Sequence, residues 1–137
     1  MAYLSRFETD VQEIDDYTTV AKCYIEFKSH SDTSSELISI IVHKNADDTA
    51  IIESDITDTE DTLHCYKLSD MSDSERERLE ELCDCSLDYL SARELTELIL
   101  YVHLRDLITR EDDFADDELN ELIEAVKNCE IYKKFSS

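Results

Sequence analysis

The chain has 137 residues and not one glycine or proline among them. At average usage of about 7% and 5%, a chain of this length would carry roughly sixteen of the two together. Without glycine no residue takes positive φ freely, so every turn has to be built from Asn, Asp and Ser. The same absence narrows function. A phosphate-cradling loop, a dinucleotide-binding fingerprint and a nucleophile elbow each place glycine where the backbone bends sharply or nears a ligand. The expectation is a protein that is not an enzyme and carries no cofactor.

Within that constraint the apolar residues, 42% of the chain, are periodic rather than scattered, which excludes wholesale disorder. Leu4, Phe7, Val11 and Ile14 recur at three- and four-residue spacing and predict a short helix over residues 1–16. Residues 20–28 alternate, with Cys23, Ile25 and Phe27 on one face. Residues 37–44 alternate again, with Ile38, Ile40 and Val42 inward and Ser39, Ile41 and His43 opposite. Residues 45–48 read as a turn, 49–56 as a third strand and 62–68 as a fourth. Short links between successive strands favour an antiparallel meander over residues 17–68.

After Leu68 the period changes to about 3.6. Ser72 with Glu75 and Ser91 with Glu94 are capping boxes, each opening a helix. Leu79, Leu82 and Cys83 form the buried stripe of the first, and Leu95, Leu98, Ile99, Val102, Leu107 and Ile108 that of the second. Asp116 caps a third helix ending near Cys129, with Leu119, Leu122, Ile123 and Val126 inward. The fold class is α+β: a single domain over residues 1–137, with about four antiparallel strands followed by about three helices (residues 70–130) on one face of the sheet. Tyr101 and Leu104 lie beyond the main stripe of the second helix and hint at homodimerisation or an apolar client groove.

Charge dominates the surface. Thirty-five Asp and Glu oppose thirteen Lys and Arg, for a net charge of -22. A charge this far from zero repels itself and works against a compact state, so a role outside stability is expected for it. The acids fall into runs that exclude bases. One is Glu111, Asp112, Asp113, Asp116, Asp117, Glu118, Glu121 and Glu124. A second is Asp47, Asp48, Glu53, Asp55, Asp58, Glu60 and Asp61, and a third Glu8, Asp10, Glu13, Asp15 and Asp16. In the third predicted helix residues 117, 121 and 124 share one solvent face, with Glu118 at its edge and neighbours ~5–6 Å apart. Asp112, Asp113 and Asp116 extend the row ahead of the helix.

Other chemistry finds little support. Cys83 and Cys85 are too close for a zinc knuckle, and His64 and Cys65 are adjacent in a strand and so point to opposite faces. The acids around Asp55 to Asp61 miss the ligand order of a calcium loop and its glycine, so no metal site is expected. Glycosidase-type carboxylate pairs need a cleft, whereas these acids read as exposed. Direct nucleic-acid binding is opposed by the sign of the charge. No apolar stretch exceeds residues 98–102, so no membrane partner is expected. The N-terminus lacks the basic start and apolar core of a secretory signal. An odd count of five cysteines in apolar patterns reads as buried free thiols in a reducing cytoplasm.

In composition and size the chain resembles the acidic nucleic-acid mimics of phages and mobile elements, the anti-restriction and anti-CRISPR inhibitors. That resemblance implies an inhibitor acting in the host cell cytoplasm on a basic nucleic-acid-binding protein. Carboxylates on the Asp112–Glu124 and Asp47–Asp61 runs would take the Lys and Arg that normally grip phosphate, with Tyr24 or Tyr132 as anchors. An immunity protein or antitoxin masking a basic toxin, an acidic dimeric secretion chaperone and halophilic adaptation of an ordinary domain are the rival readings.

Overall fold

The computed structural model describes residues 2–110 and 116–136. Five strands, β1 (Tyr3–Glu13), β2 (Thr18–Lys28), β3 (Thr33–Lys44), β4 (Thr49–Thr57) and β5 (Asp61–Lys67), form an antiparallel sheet in the order of the chain. Four helices follow: α1 (Asp73–Cys83), α2 (Ala92–Leu107), α3 (Asp116–Asn128) and α4 (Glu130–Ser136). The α+β class and the meander are as expected from the sequence, with one strand and one helix more.

The extra strand is the segment predicted as an N-terminal helix. Phe7 pairs with Ile25, Thr9 with Cys23 and Val11 with Ala21, so these β1 residues share the face of the β2 core residues. A register shift between Leu4 and Arg6 inserts one residue, so Leu4 and Phe7 reach the same face three positions apart. The bulge thus converted a period of two into a spacing that imitates a helix. Ile14, the last member of the supposed stripe, lies beyond the strand and is exposed.

Turns are made as a chain without glycine must make them. Asp15 accepts from the Tyr17 amide at 2.8 Å, and Asn45 from the Asp48 amide at 3.0 Å. Among the described residues only Asp84, just past α1, has positive φ, at 56°. Asp is one of the few residues besides glycine that tolerates this region.

The core lies between the sheet and α2. Ala21, Cys23, Ile25, Ile38, Ile40, Val42 and Ile51 face it from the strands. The Ser91 capping box starts α2 as predicted, with both reciprocal bonds present. Seven successive residues, Leu95 to Tyr101, are buried. A helix buried all round needs cover on both sides. The sheet supplies one side and α4 the other: the Tyr101 ring centroid lies 5.4 Å from those of Tyr132 and Phe135. Lys134 adds a 3.0 Å ion pair to the buried Glu97. Tyr101 is thus covered by α4 and Leu104 is fully buried, so neither side chain is exposed; Tyr132 is likewise a packing residue. Among the described residues no helix is long and apolar enough to cross a membrane.

Candidate functional site

Helix α3 is strongly amphipathic. Leu122 and Val126 are fully buried, Leu119 and Ile123 partly so, and Asp117, Glu121 and Glu124 are exposed as the periodicity predicts. Glu118 is half-buried at the edge of the row. The helix lies along the edge strand β1. Near its start, Glu121 Oε2 accepts the Leu4 amide at 2.8 Å. Near its end, Asn128 and Glu130 share a cavity of about 550 Å³ with Thr9, Asp10 and Val11. Two acidic runs far apart in sequence therefore meet on one edge of the molecule.

Most carboxylates on this edge are uncommitted. Asp10, Asp117, Glu118 and Glu124 have no hydrogen-bond or ion-pair partner among the described residues, whereas Glu121 is tied to β1 and Glu8 to Arg6. Glu13 reaches Arg93 on α2 at 3.6 Å. Four α3 carboxylates between positions 117 and 124 span ~10.5 Å of helix, or about one charge per 3 Å. A duplex presents ~1.7 Å of axis per charge, or ~3.4 Å on each strand, so the helix matches one strand in linear density. Glu111, Asp112 and Asp113 lie outside the described residues, and Asp116 is placed only as the first residue of α3.

The second predicted run does not join this surface. Asp47 and Asp48 sit before β4 while Asp58, Glu60 and Asp61 follow it, separated by a nine-residue strand, ~30 Å long. Both groups lie away from β1, which is at the opposite end of the strand order. Several of these acids have structural work. Asp48 accepts from the Ser69 hydroxyl and from the Ser69 and Thr49 amides, and these bonds hold its carboxyl below the usual range. Asp58 accepts the Ser35 amide at 2.9 Å. Asp47, Glu60 and Asp61 are exposed and have no such partner among the described residues.

Sequence reasoning missed a polar cluster beneath the helical layer. Glu36 shares the face of Ile38 and Ile40, and Glu53 and Asp55 that of Ile51. Carboxylates in phase with core residues were the available signal. Arg110, just past α2, lies 3.1 Å from Glu36 and 3.5 Å from Asp55. Burial, then the neighbouring Asp55, pushes Glu36 up to about 7. Asp55 Oδ1 is buried without a hydrogen-bond partner among the described residues. A protonated Glu36 carboxyl can donate a hydrogen bond toward Asp55. Glu53 pairs with His103 on α2; burial pushes its carboxyl up, but bonds from His103 and Tyr66 outweigh that and hold it below its ordinary value. Both pairs tie the sheet to α2 or its end.

The thiols only partly follow expectation. All five cysteines are free, but Cys23 alone is buried, its thiol pushed up to about 12 by burial. Cys65 and Cys85 are exposed, the latter with its Sγ 3.6 Å from that of Cys83. Among the described residues no group of three or more His, Cys, Asp or Glu is arranged to hold a metal ion.

The helices all lie on one side of the sheet, and among the described residues nothing packs on its other face. The register puts Arg6, Lys22, Lys28 and Lys67 there, with Glu8, Asp10, Glu26 and Asp61. Tyr24 is also on this face, bonded to Glu26 at 2.8 Å, with the Arg6 guanidinium 4.8 Å from its ring centre.

Fold and surface together define a class: a small acidic α+β domain, helices on one side of a five-stranded meander, with an uncompensated carboxylate edge. Comparison of the chain with known protein families, curated proteins and solved structures finds no match.

Proposed function

We propose that the protein is a nucleic-acid mimic, an inhibitor that occupies the basic DNA- or RNA-binding groove of a host defence protein such as a CRISPR effector or restriction enzyme. The carrying observation is the meeting of the α3 and β1 acidic runs on one edge, with carboxylates at the linear density of a nucleic-acid strand. A solvated surface needs no such arrangement; a row of opposite charge speeds encounter with a basic groove and fixes its register. An immunity protein masking a basic toxin uses the same chemistry on a different partner. A secretion chaperone is less well supported, because both apolar sides of α2 are covered by the protein itself.

The test is capture by the immobilised chain of a nucleic-acid-binding protein from host lysate, followed by elution with duplex DNA, RNA or salt. The captured protein is expected to leave the resin with competing nucleic acid and with rising salt, since both displace contacts made through Lys and Arg. Its nuclease activity should fall when this chain is added. Capture that persists through excess nucleic acid and high salt would overturn the proposal.

A further inference from the structure

The open face of the sheet breaks the usual pattern of a one-sided antiparallel sheet. Such sheets alternate, apolar toward the core and polar toward water. Here β3 reads Leu37-Ile38-Ser39-Ile40-Ile41-Val42 and β4 reads Ala50-Ile51-Ile52, apolar on both faces. Strands of that kind are normally buried on both sides. The helices cover Ile38, Ile40, Val42 and Ile51. Among the described residues no element packs over the outward set: Leu37, Ile41, Ile52, Ile56, Leu63 and Cys65.

The register makes this set continuous. Leu37 lies opposite Ile56, Ile41 opposite Ile52, and Ile52 opposite Cys65. At its margin Ile56 is 45% and Leu63 70% exposed. Beside it, on β1 and β2, lie most of the charged residues of the face. Three bases and three acids cancel there, and Lys67 and Asp61 on β5 cancel in turn, in a molecule with a net charge of -22. The acid excess is thus excluded from this one surface.

We infer that the open face is the interface of a homodimer in which two sheets pack face to face. The apolar half forms its core and the balanced charges of β1 and β2 its rim. Two observations select a second copy. First, a foreign basic partner would be drawn to the acidic edge, whereas a surface of zero net charge lets two strongly negative chains touch without like-charge contact. Second, the size fits. Five strands at ~4.8 Å spacing and ~25–30 Å of strand length give roughly 500–600 Å² in projection, and side-chain relief brings this toward the ~800 Å² per partner of a standard interface. Packed sheets sit ~10 Å apart with interdigitated side chains, which suits Ile and Leu. Glu8 and Asp10 of β1 fall within the rim, whereas the α3 carboxylates lie outside the face, so the dimer still presents two acidic helices.

This inference stands apart from the proposed function, and salt separates the two. Salt screens the mutual repulsion of the chains and leaves apolar contact intact, so the dimer should tighten as ionic strength rises, while capture of a basic partner should weaken. Sedimentation equilibrium of the full chain at physiological salt should give twice the 15.9 kDa chain mass. The double variant Ile56→Lys, Leu63→Lys should sediment as a monomer with unchanged circular dichroism. Cysteine reactivity reads the same interface without mutation. Alkylation of Cys65, on the open face, should slow as protein concentration rises, while Cys85, outside it, keeps its rate. A wild-type monomer at tens of micromolar chain in high salt would overturn the inference. So would a dimer indifferent to both lysines, or equal behaviour of the two thiols.

Discussion

The edge formed by β1 and α3 and the inner end of β3 and β4 are both rich in carboxylates, and the protein uses them in opposite ways. At the inner end Glu36 and Asp55 share Arg110, and Glu53 takes His103. On the α3 edge Asp10, Asp117, Glu118 and Glu124 hold nothing within the described chain. The difference follows from the face each position occupies. A carboxylate in phase with Ile38 or Ile51 is carried under the helices, where an unpaired charge is costly, so it must find a cation or a proton. One in phase with solvent meets no such demand. Composition cannot separate the two kinds; register can.

The largest expected effect breaks the inner cluster by pH. Glu36 is held protonated in the fold to about 7, against an ordinary 4.5, while the unfolded chain releases this proton above the ordinary value. The fold therefore binds more protons between the two, and this contribution to stability is full below about 4.5 and is lost as pH rises through about 7. At 1.36 kcal/mol per unit this is about 3–4 kcal/mol, which solvent screening of the partly open site reduces to on the order of 2–3 kcal/mol. Urea titrations across the window should show the loss in the native chain and its absence in Glu36→Gln, which keeps a donor for Asp55. A flat native profile would show that the fold does not hold the Glu36 proton.

Removing the cation is the next step down. Arg110→Ala leaves both acids under the helices without their guanidinium, and should cost about 2 kcal/mol, below the 3–5 of a fully buried pair because the site is partly open. Equilibrium denaturation at neutral pH measures it. On the other edge Glu121→Ala loses one exposed bond to the Leu4 amide, and about 0.5 kcal/mol is expected. Faster hydrogen exchange at Leu4 is the sharper readout, because it reports this bond alone.

How much of this the sequence disclosed depends on local period. Strands β2 and β3 were legible because one apolar residue in two marked their inner face, β4 and β5 from turn residues and short apolar runs, and the starts of α1 and α2 because Ser72 and Ser91 sit three residues before a glutamate. β1 was misread because a single bulge residue put Leu4 and Phe7 at helical spacing. α4 was missed because its seven residues are too few to show a period, although Tyr101 on the far side of α2 required a cover. The α3 row was legible in full as a helix face. Its meeting with the β1 acids was not, because that depends on which edge of the sheet a later helix chooses. The inner cluster was legible in principle, from Glu36 and Glu53 in core phase.

The smallest effect on stability tests the comparison most directly. Asp117 and Glu121 are a like-charge pair at i,i+4, as are other neighbours in the row at i,i+3, and each costs the helix a few tenths of a kcal/mol. Neutralising the three uncommitted α3 acids together, Asp117→Asn, Glu118→Gln and Glu124→Gln, should leave stability unchanged or raise it by about 0.5 kcal/mol. Because Glu121 is kept, the bond to Leu4 and the seat of the helix on β1 are preserved. The same triple change should abolish capture of the basic partner, whereas the neutral variant Glu36→Gln at the inner end should leave capture intact. A domain whose acids only solvate it would lose neither partner nor fold from the triple change. A domain whose acids all hold it together would lose stability. Gain of stability with loss of binding is the combination that a partner-directed surface alone predicts.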